Sequence, residues 1–264
     1  MKRFTGILII IILAAAGCTR EPEPLPPGKV IVIMYHRISE GAAANLYERS
    51  AADFEADLIF LKKNNVSVIS FEELEAMISK GEMPAGDAAV ITFDDGDHSW
   101  VSRAKPLLIK YQMKATFFLW VSMIGRDSYL NWDEVSAMSH YMGDDGIRPF
   151  TFGSHTMSHQ FLLTMKAALT DPSEFDRYLD EELGSSATEI EKHTPGEVSI
   201  LALPYGDGAG DAIITAGAER NGYRLIRTSE RGVISSPETD LLRIPSLPML
   251  DSTDPRTILT YLGR

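Results

Sequence analysis

The sequence predicts an α/β fold, a closed or nearly closed (β/α) barrel of seven to eight parallel strands, and three observations carry that reading. Short apolar runs rich in β-branched and aromatic residues alternate with amphipathic helical stretches, the order expected of a parallel sheet. Seven or eight such units follow one another, enough for a sheet to close on itself. The polar residues suited to chemistry, His36, Asp94, Asp95, His155 and Tyr205 among them, stand where the apolar runs end. In barrels of this kind that position is the carboxyl-end face, where active sites are built. At 264 residues and 44% hydrophobic composition the chain can bury a full core and fits one large domain, residues 29–264.

Taken in order, the chain starts with Lys2 and Arg3 ahead of an apolar stretch over 7–16, the layout of an export signal. The stretch is short for a transmembrane helix. Cys18 is the single cysteine and follows Ala15-Ala16-Gly17. This resembles a bacterial lipobox, with alanine where leucine is usual, and predicts a lipoprotein signal over 1–18 and a lipid on Cys18. Ordinary signal cleavage beside a stray cysteine is the other reading. Residues 19–28 carry Pro22, Pro24, Pro26 and Pro27 and read as an extended tether. The expected location is the cell envelope, exported and anchored to a membrane by lipid.

Residues 30–35 are a continuous apolar strand ending at His36. Phe54, Leu58 and Leu61 then recur at helical spacing over 53–63. A short strand is expected at 66–69, and Ser70 with Glu73 forms a capping box for a helix reaching residue 78. The strand 88–95 is followed by a helix near 102–111, a strand at 114–122, a helix at 132–142 and a strand at 147–153. A charged, surface-facing helix is expected over 174–192. Strands at 198–203 and 223–228 flank a helix around 211–221, and 242–247 reads as the last strand.

Two of these strand ends stand out. The run Val90-Ile91-Thr92-Phe93 stops at Asp94-Asp95-Gly96. Neighbouring side chains on a strand point to opposite faces, so both aspartates serve one site only if the strand ends or bulges there, which Gly96 permits. Asp-Gly is also a common turn dipeptide, and a surface turn accounts for it equally well. The second end, Ser154-His155-Thr156-Met157-Ser158-His159, places two histidines four apart. On a helical turn those positions share one face, so both imidazoles can reach one metal ion. A carboxylate with two imidazoles and one open position is a hydrolytic zinc arrangement.

Together, Thr92-Phe93-Asp94-Asp95-Gly96 and Ser154-His155-Thr156-Met157-Ser158-His159 resemble the first two motifs of the polysaccharide deacetylases, the NodB-homology domain of carbohydrate esterase family 4. The likeness continues through Tyr35-His36-Arg37, Lys114-Ala115-Thr116-Phe117-Phe118, Leu130-Asn131-Trp132-Asp133-Glu134 and Leu203-Pro204-Tyr205-Gly206. It implies a distorted barrel, one divalent metal ion (zinc) on Asp95, His155 and His159, and Asp94 as general base. It further implies that the Tyr205 backbone N–H stabilises an oxyanion. Two departures are visible. The arginine usual two residues before the matched proline is Ala202, leaving Lys114 and Arg243 as candidate partners of Asp94 by charge. No histidine follows His193, so the C-terminal histidine motif is missing. Both gaps are familiar in the branch that deacetylates poly-N-acetylglucosamine, where a permuted order draws the general acid from a first-strand Tyr-His motif; His36 matches it.

The implied activity is hydrolytic removal of N-acetyl groups from N-acetylglucosamine-containing polysaccharide, exopolysaccharide or peptidoglycan, by a monomer. A catalytically degenerate glycan-binding surface lipoprotein is the alternative, supported by Ala202; a metal phosphoesterase is a third reading, weakened by the lack of a basic cluster. The formal charge of −12, from 37 acidic and 25 basic residues, argues against a nucleic-acid partner.

Overall fold

The computed structural model describes residues 27–264, so the signal-like segment, Cys18 and the tether up to Pro26 lie outside the described residues. The elements run β1 (Val30–Tyr35), β2 (Arg37–Ser39), β3 (Glu48–Ser50), α1 (Ala51–Lys63), β4 (Ser67–Val68), α2 (Phe71–Ile78), β5 (Ala88–Asp95), α3 (Lys105–Tyr111), β6 (Ala115–Leu119) and α4 (Trp132–Ser139). They continue as β7 (Phe150–Ser154), α5 (Leu162–Ala168), α6 (Pro172–Leu179), α7 (Ser185–Glu191), β8 (Ile200–Ala202), α8 (Ala212–Arg220), β9 (Leu225–Arg227), β10 (Leu247–Pro248) and α9 (Arg256–Leu262).

The main sheet has the order β10-β1-β5-β6-β7-β8-β9, with β4 added beside the start of β5, and every ladder in it is parallel. Its two ends are linked through the segment 241–248. The Ile226 amide donates to the Leu241 carbonyl and the Ile244 amide to Ile226, while Leu247 and Pro248 lie opposite Ile33 and Met34 of β1. The result is the distorted (β/α) barrel that the alternation of elements predicts. The last strand is split: residues 241–244 serve β9 and Leu247–Pro248 serve β1, so the expected strand at 242–247 is present in two pieces.

Strand alternation divides the core into two clusters. Ile31, Ile33, Ala89, Ile91, Phe93 and Phe117 point outward under the helices, and Val30, Val32, Ala88, Val90, Phe118 and Ala202 point inward. Helix α2 adds Phe71 and Leu74 to the inner cluster, closing the amino-terminal end of the barrel. Its start is fixed by the capping box read from the sequence: the Glu73 amide donates to Ser70 Oγ, and the Ser70 amide to Glu73 Oε2. Continuing inward from Val90, Thr92 and Asp94 reach the opposite, carboxyl end.

Several expectations change. The stretch 174–192 is not simply a surface helix: α6 and α7 are joined by a π-type turn at Asp180–Gly184, and Phe175, Leu179, Glu182, Leu183 and Ile190 are buried. Helix α4 starts at a capping box formed by Asn131 and Glu134. The elements β2, β3, α5 and α9 are additions to those expected from the sequence. No helix among the described residues is long and apolar enough to cross a membrane.

Candidate active site

The carboxyl ends of β1, β5, β7 and β8 open into one cleft of about 560 Å3, lined by His36, Asp94, Asp95, His155, His159 and Tyr205. All six residues singled out in the sequence therefore meet in one place.

Strand β5 delivers two aspartates to the same site by turning at its last residue. Asp95 has φ 90° and Gly96 φ 101°, consecutive left-handed residues that break the alternation of faces. A Cβ on Gly96 would also stand 2.9 Å from Ile124 Cδ1. Asp94 stays inside the barrel, 2% exposed, while Asp95 faces the cleft. The surface-turn reading of Asp94-Asp95-Gly96 is thereby excluded.

The two histidines converge by a route other than the helical turn expected from their spacing. Residues 155–161 form an irregular loop in which Thr156 (φ 64°) and His159 (φ 59°) are left-handed, and α5 starts only at Leu162. The loop is held locally: the Thr156 amide donates to Ser154 Oγ and the His159 amide to Thr156 Oγ1. His155 Nδ1 donates to the Ala202 carbonyl at 2.8 Å, which leaves Nε2 with a free lone pair. His159 stacks on Trp120, ring centroids 4.6 Å apart, and meets the edge of Tyr205 at 4.8 Å.

His155 Nε2 and His159 Nε2 lie 3.1 Å apart, and each is 3.5 Å from Asp95 Oδ1. Among the described residues these three side chains form a group able to hold a metal ion. Ligands about 2.0–2.1 Å from one ion at tetrahedral angles stand roughly 3.4 Å apart, so the triangle has the right size. Burial pushes the Asp95 carboxyl up to about 6, against the lowering effect of His36, and pushes His155 down to about 3. Two neutral imidazoles and a desolvated carboxylate facing one another are mutually costly without a cation and well matched to one.

Asp94 has a different setting. Burial raises its carboxyl, but the charge of Arg227 and the hydrogen bond it donates outweigh burial and hold the carboxyl below the ordinary carboxylate range. Arg227 is fully buried, its Nη2 donates to Asp94 Oδ2, its Nη1 lies on Met34 Sδ, and its guanidinium sits 5.3 Å from the Phe118 ring centroid. Asp94 Oδ1, buried, has no hydrogen-bond partner among the described residues. The candidates offered by charge alone are both wrong. Lys114 pairs with Glu73, and Arg243 pairs with Glu230 on the surface. The residue that sequence reasoning missed is Arg227, which follows Leu225-Ile226 near the end of the strand expected over 223–228 and which the structure places in register with Ala202.

Tyr205 sits in a single 3-10 turn, Pro204–Gly206, with φ 59° and its ring exposed and stacked on Phe161 at 4.1 Å. The Gly206 and Asp207 amides are bound by the Leu203 and Pro204 carbonyls. The Tyr205 amide stands ahead of them at the start of the turn, where amides have no partner within the turn. His36 lines the same cleft, half-buried, its ring beside Tyr47 at 5.2 Å and its carbonyl accepting from Trp100 Nε1. Trp132 stacks on His193 at 4.3 Å and does not line the cleft.

A parallel barrel with a carboxyl-end cleft, a two-imidazole, one-carboxylate donor set and a second carboxylate beside it defines a class of barrel hydrolase. Residues 81–226 match the family model described as polysaccharide deacetylase, more than half of the chain, and the protein belongs to that family. The Bacillus subtilis (strain 168) protein YxkH, whose name places it among the polysaccharide deacetylases, is 28% identical over 211 residues, 79% of this chain and 67% of that one. A poly-β-1,6-N-acetyl-D-glucosamine N-deacetylase of Staphylococcus aureus (strain MRSA252) is 27% identical over 161 residues, covering 61% of this chain and 54% of its own length. The chain thus spans about two thirds of one relative and about half of the other. In fold it is similar to the Streptococcus pyogenes deacetylase PplD, solved with acetate (TM-score 0.74, 24% identity, 90% of this chain, 99% of that one). IcaB from Ammonifex degensii is comparable (TM-score 0.73, 21% identity, 91% and 99%).

Proposed function

We propose that the protein is a metal-dependent deacetylase that removes N-acetyl groups from N-acetylglucosamine-containing polysaccharide, with zinc on Asp95, His155 and His159. The observation that carries the reading is the pairing of two carboxylates in opposed settings, Asp95 in the donor triangle and Asp94 outside it on Arg227. The kinship with a poly-β-1,6-N-acetylglucosamine deacetylase favours exopolysaccharide over peptidoglycan as substrate.

Bound zinc would supply Lewis acidity, polarising the acetyl carbonyl and acidifying water. The remaining work falls to the chain. Asp94 accepts the proton of the attacking water at Oδ1, the oxygen that Arg227 leaves free, and Arg227 keeps the carboxylate ionised until that moment. The Tyr205 amide donates to the oxyanion that forms on the former carbonyl. His36, on the wall of the same cleft, delivers the proton that the departing sugar amine needs. Trp120 and Tyr205 hold the His159 ring, and the Ala202 carbonyl holds that of His155, so the donor set is preorganised.

The degenerate-binder reading drew its support from Ala202. Arg227, on the neighbouring strand and in register with Ala202, occupies the role of the missing arginine, so that support falls away. We further propose that the chain works as a monomer on the cell envelope, exported by residues 1–18 and held by lipid on Cys18 through the 19–28 tether. The signal-like composition and the single, well-placed cysteine support this. Cys18→Ala should release the protein from membrane fractions, and an unchanged distribution would refute the anchor. For the activity, the test is acetate release from β-1,6-linked N-acetylglucosamine oligomers by zinc-loaded protein, with Asp94→Asn alongside. No release by the zinc-loaded wild type would refute it.

A further inference from the structure

The loop that carries both candidate metal ligands is gripped from outside the barrel by the helical stretch behind it, and the grip centres on one acidic side chain. Glu182 lies in the π-type turn between α6 and α7 and is buried, 6% exposed. Its carboxylate accepts two hydrogen bonds from Ser158, from the amide to Oε2 at 2.9 Å and from Oγ to Oε1 at 2.5 Å. Its backbone carbonyl accepts from the Met157 amide at 3.0 Å. A fourth link joins the same helical stretch to the foot of the loop, Ser186 Oγ to Ser154 Oγ at 2.7 Å.

A buried carboxylate that forms no ion pair among the described residues requires a reason to be there. Its partners, Met157 and Ser158, lie between Thr156 and His159, the two left-handed residues of the loop. Non-glycine residues persist in that conformation only where the surroundings hold them, and for β-branched threonine the conformation is especially unfavourable. Three of the four links fall on the two residues between the strained pair. We infer that Glu182 is a positioning residue: by holding Met157 and Ser158 it sets the 3.1 Å separation of His155 Nε2 and His159 Nε2, and hence the metal affinity of the site. π-type turns recur at functional sites, and here the turn carries the carboxylate that meets the loop. The inference rests on the metal reading above.

The test measures zinc dissociation constants by chelator competition on the full chain, together with the visible spectrum of the cobalt-substituted protein, at a temperature where every variant is folded. Glu182→Ala is expected to weaken zinc binding about 10- to 100-fold, the usual effect of losing an outer partner of metal ligands, and to alter the cobalt spectrum. Glu182→Gln should stay close to wild type, because its amide oxygen accepts the Ser158 N–H while its NH2 donates to Ser158 Oγ. Adding Ser158→Ala to Glu182→Ala should cost little more than Glu182→Ala alone, since both changes remove the same contact. Wild-type affinity and an unchanged cobalt spectrum in Glu182→Ala would overturn the inference, as would equal losses in the alanine and glutamine variants. A wild-type chain that holds no zinc would instead overturn the metal reading beneath it.

Discussion

Replacing Arg227 with methionine removes the guanidinium while keeping an unbranched apolar chain to pack between Met34 and Phe118. Both partners of the broken pair are buried, Arg227 at 0% and the Asp94 side chain at 3% exposure. Removing one member of such a pair strands the other charge and costs about 3–5 kcal/mol. For a domain of this size that is a fall in Tm of roughly 6–20 °C, measured at fixed zinc concentration. The pH dependence has a defined sign. In the wild type the Asp94 carboxyl is held below its ordinary value, so its stabilising contribution is present above the unfolded pKa near 4 and is lost as pH falls through the folded value. In the variant burial is left without its main opponent, the carboxyl rises, and the gap between the two proteins is widest at neutral pH and narrows on acidification. With Asp94 as the proposed base, the acidic limb of kcat/KM should move to higher pH in step, because the carboxyl would be protonated over more of the range. Thermal unfolding and pH–rate profiles check both. An unshifted acidic limb in Arg227→Met, or a stability gap that widens as pH falls, would refute the reasoning.

Other substitutions separate the roles. Placing arginine on the adjacent strand, in Ala202→Arg with Arg227→Ala, should recover part of the activity lost in Arg227→Ala, since Ala202 is in register with the residue that reaches Asp94; no recovery would show that the arginine cannot be supplied from β8. His36→Ala should lower turnover about 10²–10⁴-fold, the range for a general acid, with metal content by elemental analysis unchanged. His155→Ala should lose both metal and turnover. Arg49, buried, donates to both oxygens of buried Asp57, which also accepts from the Tyr35 hydroxyl; Arg49→Met should destabilise the fold by about 3–5 kcal/mol in urea unfolding.

Features that depend on local pattern were legible in the sequence. Barrel strands with four or more apolar residues stood out, as did the Ser70–Glu73 capping box and the break at Asp94-Asp95-Gly96. So did the six cleft residues, because motif spacing and strand ends pointed to the same places. Features that depend on register or on the loop path were hidden. Arg227 reaches Asp94 from a strand 133 positions later in the chain, a pairing no spacing rule records. The four-residue gap between His155 and His159 fits a helical turn on paper, but left-handed Thr156 and His159 bring the rings together without one. Glu182 read as one more charge in an acidic run, Asp180-Glu181-Glu182, because burial of one face is invisible until the helix is docked.

The central claim is that Asp94 and the donor triangle together hydrolyse an acetamide. The most direct measurement is acetate release from β-1,6-linked N-acetylglucosamine oligomers by the zinc-loaded chain, run beside the metal-stripped chain and zinc-loaded Asp94→Asn. Release is expected from the first alone, with Asp94→Asn retaining its zinc. Equal release by Asp94→Asn, or release unaffected by stripping the metal, would contradict it.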